Sequence, residues 1–186
     1  MALKIALREP ERVRSLTLYE PVLFGLLRSM APADPALGEI EEVAASVAAL
    51  LHLGQLADAA RVFVGYAGGS RAWALLFEGQ RRALTSRMPT VPQHFAALSA
   101  AAWTREQLAR LQMPLLLLCG SNTRAPARRA AELLALALPQ AQRGLVPEAG
   151  HLGPITHAQT VSPWMTARID PLLARRSVRE EAASPA

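Results

Sequence analysis

The chain has 186 residues, of which 51% are hydrophobic and 19% charged. It is therefore long enough to bury one substantial core and too apolar to be disordered or fibrous. The net charge is +5 and the isoelectric point about 10.6, but all the cations except Lys4 are arginines, scattered from Arg8 to Arg179 with pairs at most. With no basic stripe and no interleaved aromatics, a nucleic-acid-binding surface is not expected.

In chain order, Leu3 to Leu7 reads as the last turns of a short helix stopped by Arg8-Glu9-Pro10, because proline disfavours helical geometry in the residue before it. The same charges cut off any secretory h-region. Val13 to Tyr19 alternates as a strand and ends at Glu20-Pro21. From Val22 to Leu111 the pattern is helical, rich in Ala and Leu, and punctuated by Pro32, Pro35, Gly54, Gly68-Gly69, Pro89 and Pro92. Its apolar charge-free run, Val43 to Ala57, is too short to span a bilayer and carries His52, Gly54 and Gln55. Met113 to Cys119 is a continuous apolar run closed by Gly120-Ser121-Asn122, the pattern of a buried parallel strand. Ala127 to Leu138 has helical spacing, Arg143 to Val146 reads as a further strand, and a last helix is expected from about Ala158 to Ala174. The polar stretch Ser177 to Ala186 is expected to be disordered.

This order implies a parallel α/β sheet. Three strands with a long helical excursion make a poor stand-alone sheet, so the sequence reads as lacking material before residue 1. The lone Cys119 excludes an internal disulfide and a cysteine zinc cluster, which fits a reducing, cytoplasmic location.

His151 is the best candidate for chemistry. It follows a predicted strand within AGHLGP, where Gly150 and Gly153 allow a turn that leaves an imidazole at the strand's carboxyl end. Such a histidine can act as a general base near neutral pH or simply bond a loop. Ser70, in GGSRA, approximates a G-x-S-x-G elbow, but it follows a segment of helical rather than strand composition, so a turn is expected there. Glu148 and His151 form E-x-x-H, which Pro147, Gly150, Gly153 and Pro154 keep off a single helix, so no metal site is expected. His52, His94 and His157 have no partners at ligand spacing and are read as surface or packing residues. Cys119 is read as a small buried hydrophobe, and Trp73, Trp103 and Trp164 as core or pocket wall. No phosphate-cradling glycine loop is present, and no cofactor is expected.

IALREPERVRSLTLYEP, PLLLLCGSN and LPQAQRGLVPEAGHLGPITHAQTV together resemble the carboxyl-terminal half of the α/β-hydrolase fold, over most of residues 1 to 165. The resemblance implies an α/β fold: a parallel sheet truncated to about three strands, with a helical cap. In its terms residues 1–21 are a helix end and a strand of the core, 22–112 the cap, 113–176 the rest of the core and 177–186 a tail. His151 takes the place of the catalytic histidine. The nucleophile, a Ser, Asp or Cys, is expected upstream of residue 1. The acid usually follows strand seven, where this chain has Thr123, a departure from the pattern. In members similar to haloalkane dehalogenases it follows strand six, where Glu20 stands. The implied function is hydrolysis of a small apolar ester, epoxide or related bond, with a small-molecule substrate and neither membrane nor nucleic acid as partner. The alternative is a non-catalytic remnant or interaction module.

Overall fold

The computed structural model describes residues 1–167. The expectations for the end of the last helix and for the tail at 177–186 lie outside the described residues.

Three strands, β1 (Leu16–Tyr19), β2 (Leu115–Gly120) and β3 (Gln142–Val146), form one sheet in the order β1-β2-β3. Both pairings are parallel, with Leu16 opposite Leu115 and Leu116 opposite Gln142. The central place falls to the most apolar strand, since a strand hydrogen-bonded on both edges and covered on both faces needs apolar side chains throughout. Alternation then divides them. Leu115 and Leu117 enter the main core, while Leu116 and Leu118 enter a smaller cluster with Val146, Ala149 and Val161.

β1 begins three residues later than the alternation of Val13 to Tyr19 predicts. Pro10–Arg12 forms a turn of 3-10 helix capped by Val13, and the Leu16 N–H reaches the Pro114 carbonyl at 2.9 Å. Pro114 has no N–H to give in return, so the ladder cannot extend back past it.

α1 (Ala2–Arg8) precedes β1, and six helices fill the interval between β1 and β2. They are α2 (Phe24–Met30), α3 (Pro35–His52), α4 (Leu56–Gly68), α5 (Glu78–Arg87), α6 (Val91–Ala100) and α7 (Arg105–Ala109). α8 (Ala125–Ala137) links β2 to β3, and α9 (Gly153–Thr156) follows β3. A helical stretch from 158 to 167 begins where the sequence predicts the last helix.

The excursion is not a detached lid, because α2 and α3 pack directly on α8. Asp34 fixes this contact in two ways. It caps α3 by accepting the Ala36 N–H at 3.0 Å, with Pro35 in the first turn. Its other oxygen accepts from Arg129 Nε on α8 at 2.7 Å.

Leu118 tests the smaller cluster, being fully buried and pressed against Gly144, where an added Cβ would lie 2.6 Å from its Cδ2. Leu118→Ala is expected to lower stability by about 2–5 kcal/mol, through lost burial and a cavity that β3 cannot collapse into. The urea unfolding midpoint measures it.

Candidate active site

Because all three strands are parallel, their carboxyl ends lie along one edge of the sheet, the usual place for a ligand in such folds. Glu20 follows β1, Gly120 ends β2, and the loop carrying His151 follows β3.

Glu20 is buried, its side chain wholly inaccessible, and it has the left-handed backbone angle φ +40°. A non-glycine residue in that region costs on the order of 1 kcal/mol or more and persists only when its surroundings hold it. Here they do. Its N–H donates to the Leu118 carbonyl at 2.8 Å, continuing the β1–β2 ladder one step beyond Tyr19. The carboxylate is then turned inward among donors. Oε1 accepts the Gly120 N–H at 3.0 Å and also the Thr123 hydroxyl, while Oε2 lies 3.2 Å from His151 Nδ1. A carboxylate only accepts, so Nδ1 is the donor and Nε2 is left with the lone pair, the tautomer a general base requires.

Burial would push the Glu20 carboxyl up, but the hydrogen bonds from His151, Thr123 and Gly120, with the charge of the imidazole, outweigh it and hold the group below its ordinary value. Its charged form is therefore the one the fold is built around.

The loop bearing His151 is laced to its neighbours. The Tyr19 hydroxyl donates to the Gly150 carbonyl at 2.8 Å. Burial, then the Glu20 charge, then Cys119, push the Tyr19 phenol up to about 12, so it remains a donor. Gly153 is obligatory beside it, since a Cβ there would fall 1.9 Å from the Tyr19 oxygen. Asn122 Nδ2 donates to the Glu148 carbonyl at 2.9 Å, and the Glu148 N–H donates to Ser121 Oγ at 2.8 Å. Gly120 is equally constrained, because its Cβ would lie 2.0 Å from the Ala149 carbonyl oxygen. The turn after β3 is thus pressed against the end of β2.

The structure brings Glu20 and His151 together, the two residues singled out from the sequence. Thr123, which occupies the position where the resemblance leads one to expect an acid, is buried and donates to Glu20 instead. The positioning residues Tyr19, Ser121, Asn122 and Thr123 escaped sequence reasoning. The GSNT loop was visible, but the atoms it would meet were not.

The other candidates lie elsewhere or in other roles. Ser70 is exposed in a turn after α4, as its helical prelude predicts. Glu148 (φ +58°) serves through its backbone. His52 is exposed at the end of α3, and His157 lies 2.8 Å from the Thr156 hydroxyl. His94 is exposed on α6 and lines the cavity described next. Burial, ahead of the Glu20 charge, pushes the Cys119 thiol up to about 11, far from a reactive thiolate. The described residues contain no cluster of ligands able to hold a metal ion and no helix long and apolar enough to cross a membrane.

Glu20 and His151 face a cavity of about 230 Å³. Its walls are mainly apolar, including Val22, Phe24, Ile40, Phe63, Phe95 and Leu98, with Tyr66, His94 and Arg124 as the other polar groups. A deep-seated carboxylate orienting an imidazole toward an apolar cavity can move a proton to or from a bound molecule. No serine, cysteine or aspartate lines the cavity among the described residues.

The family model of the alpha/beta hydrolase fold matches residues 1–158, and the chain belongs to that family. Solved structures agree in fold. A hydrolase from Pseudomonas aeruginosa is similar with a TM-score of 0.67 at 21% identity, over 90% of this chain and 60% of that one. A bromoperoxidase from Bacillus anthracis gives 0.63 at 16% identity, over 91% and 62%. A carboxylesterase from Bacillus subtilis gives 0.53 at 18%, over 92% and 55%. The chain thus spans about three fifths of the length of these proteins or slightly less. None of the curated protein sequences matches it significantly.

The depressed Glu20 carboxyl makes a stability prediction with a definite sign. A group whose folded value lies below its unfolded one stabilises the fold above the unfolded value, near 4.5, and that contribution is lost as pH falls through the folded value. Glu20→Gln is expected to flatten the acid limb of stability below about pH 4.5 relative to the parent, as read by urea midpoints between pH 6 and 3.

Proposed function

We propose that the chain carries the base and acid of a hydrolase acting on a small, largely apolar ester, epoxide or related bond, with His151 as general base and Glu20 as the acid that orients it. The helices between β1 and β2 act as the cap that shapes the substrate site. The single observation behind this reading is the Glu20–His151 bond at 3.2 Å, buried on the carboxylate side and open on the imidazole side to an apolar cavity.

In this reading Glu20 fixes the Nδ1–H tautomer, and Nε2 takes a proton from a nucleophile or from a water that attacks an acyl or alkyl intermediate. The imidazolium that forms is stabilised by the carboxylate 3.2 Å away. The nucleophile in this reading is a Ser, Asp or Cys from a segment upstream of residue 1, in keeping with a cavity lining that includes none of the three among the described residues. The chain by itself is then inactive. A donor for the developing oxyanion is expected beside the nucleophile for the same reason.

Glu20→Gln is the most informative variant. The amide keeps an acceptor for Gly120 and Thr123 but turns an NH₂ toward Nδ1, which must then accept, so Nε2 becomes protonated and useless as a base. In a chain extended upstream through the nucleophile, hydrolysis of a p-nitrophenyl ester is expected, with kcat falling about 10⁴-fold in Glu20→Gln and at least about 10²-fold in His151→Ala. Circular dichroism checks that each variant is folded. Activity in the 186-residue chain that vanished in Ser70→Ala would reject this assignment. No activity in the extended chain either would favour the non-catalytic alternative.

A further inference from the structure

The cavity contains one feature that acid–base chemistry does not use. Arg124 lines it, one residue after Thr123, with its guanidinium carbon 5.4 Å from the centre of the Tyr66 ring and its Nε donating to the Tyr66 carbonyl at 3.3 Å. These contacts fix the plane of the guanidinium yet occupy only its inner nitrogen. Among the described residues no carboxylate lies within ion-pair distance of it. Arg124 is also the N-cap of α8, whose first turn has no acidic side chain, so the helix end adds to the positive potential instead of offsetting it.

Beside it, the buried Tyr66 hydroxyl makes no hydrogen bond of normal geometry. Burial first and the nearby Glu39 carboxylate second push the phenol's pKa up, so the hydroxyl is a proton donor at neutral pH. The other charged group on the cavity wall, Glu20, is engaged by Gly120, Thr123 and His151. The wall therefore offers a planar cationic fork with no ion-pair partner among the described residues, and beside it a hydroxyl approached by Glu39 alone, next to apolar surface.

We propose that the substrate of this site is amphipathic: an apolar body packed against Phe24, Phe63, Phe95 and Leu98, and a carboxylate received by the Arg124 fork with the Tyr66 hydroxyl beside it. This rests on the hydrolase reading for the reaction, but not for the binding. Two parallel N–H···O bonds from guanidinium to carboxylate combine charge with geometric selection, which a lysine at the same place would not supply. Arg124 is then a specificity-determining residue, discriminating among esters by the acid group at the end that does not react.

Binding measurements on the 186-residue chain test this without requiring turnover. Calorimetric titration would compare 4-phenylbutanoate with its neutral isostere 4-phenylbutanamide at low salt. The acid is expected to bind about 5–10-fold more tightly, a modest factor because Arg124 is solvent-exposed, and the preference should shrink in 0.5 M salt. Arg124→Gln is expected to abolish the acid's preference, bringing the two affinities together. Arg124→Lys should retain only part of the preference. Equal affinities in the parent chain would overturn the proposal and assign Arg124 to Tyr66 and Glu39, and so would a preference that survived Arg124→Gln. Failure of both ligands to bind would overturn it as well, since the apolar body would then have no site. A lost ester-hydrolysis activity alongside an intact acid preference would reject the reaction and keep the recognition.

Discussion

Most of what is distinctive in this molecule depends on keeping one carboxylate charged in a place that water does not reach. Removing a carboxylate from water costs several kcal/mol even after the protein relaxes, and the Glu20 side chain is wholly inaccessible. Three protein donors meet it: the Gly120 N–H, the Thr123 hydroxyl and the His151 ring. Remove any one and the rest of the arrangement loses its reason. The left-handed turn at Glu20 is tolerable because it aims the carboxylate at those donors. Thr123 is buried because it must reach Oε1.

That requirement organises the sheet edge as well. Donors to a single carboxylate come from the ends of β2 and of the loop after β3, so the three strand ends have to be held at fixed relative height. The parallel register does the coarse alignment. The fine alignment comes from close backbone approach, with Gly120 against Ala149 and Gly153 against Tyr19 leaving no room for a Cβ. Side chains then stitch the loops together through Asn122, Ser121 and Tyr19. A base that must be positioned to a fraction of an ångström is better built on such strand ends than on a free loop.

The sequence made part of this legible. Met113 to Cys119 read as a buried strand from its continuous apolar run, while its place in the middle of the sheet was implied by the family resemblance and is the order found. His151 could be chosen because it follows a predicted strand, at the edge where parallel sheets bind ligands, and Glu20 because the resemblance puts an acid after strand six in some members. What could not be read was the set of partners. Glu20 meets Gly120, Thr123 and His151 across separations of 100, 103 and 131 residues, and no local pattern encodes a contact at that range. Thr123 looked like a missing acid, because a motif records a residue type and not the atom it faces. Arg124 looked like one arginine among many until Tyr66, on another helix, was placed beneath it. The start of β1 was misjudged for a simpler reason: alternation runs through Val13 and Ser15, but hydrogen bonding stops at the missing N–H of Pro114.

Glu20 and His151 are also supported from within the described part of the chain. Every donor and every loop tie around Glu20 and His151 comes from β1, β2, β3 and the turns that follow them, and the apolar wall opposite comes from the helices between β1 and β2 and from α8. A hydrolytic site joins two demands, a nucleophile at a strained elbow and a tuned imidazole to serve it, and these need not share the same supports. In the hydrolase reading proposed above, the second demand is met by short-range contacts among three adjacent strand ends. On that reading a nucleophile has only to bring its reactive atom to Nε2, because Glu20 and its donors fix the tautomer and the charge.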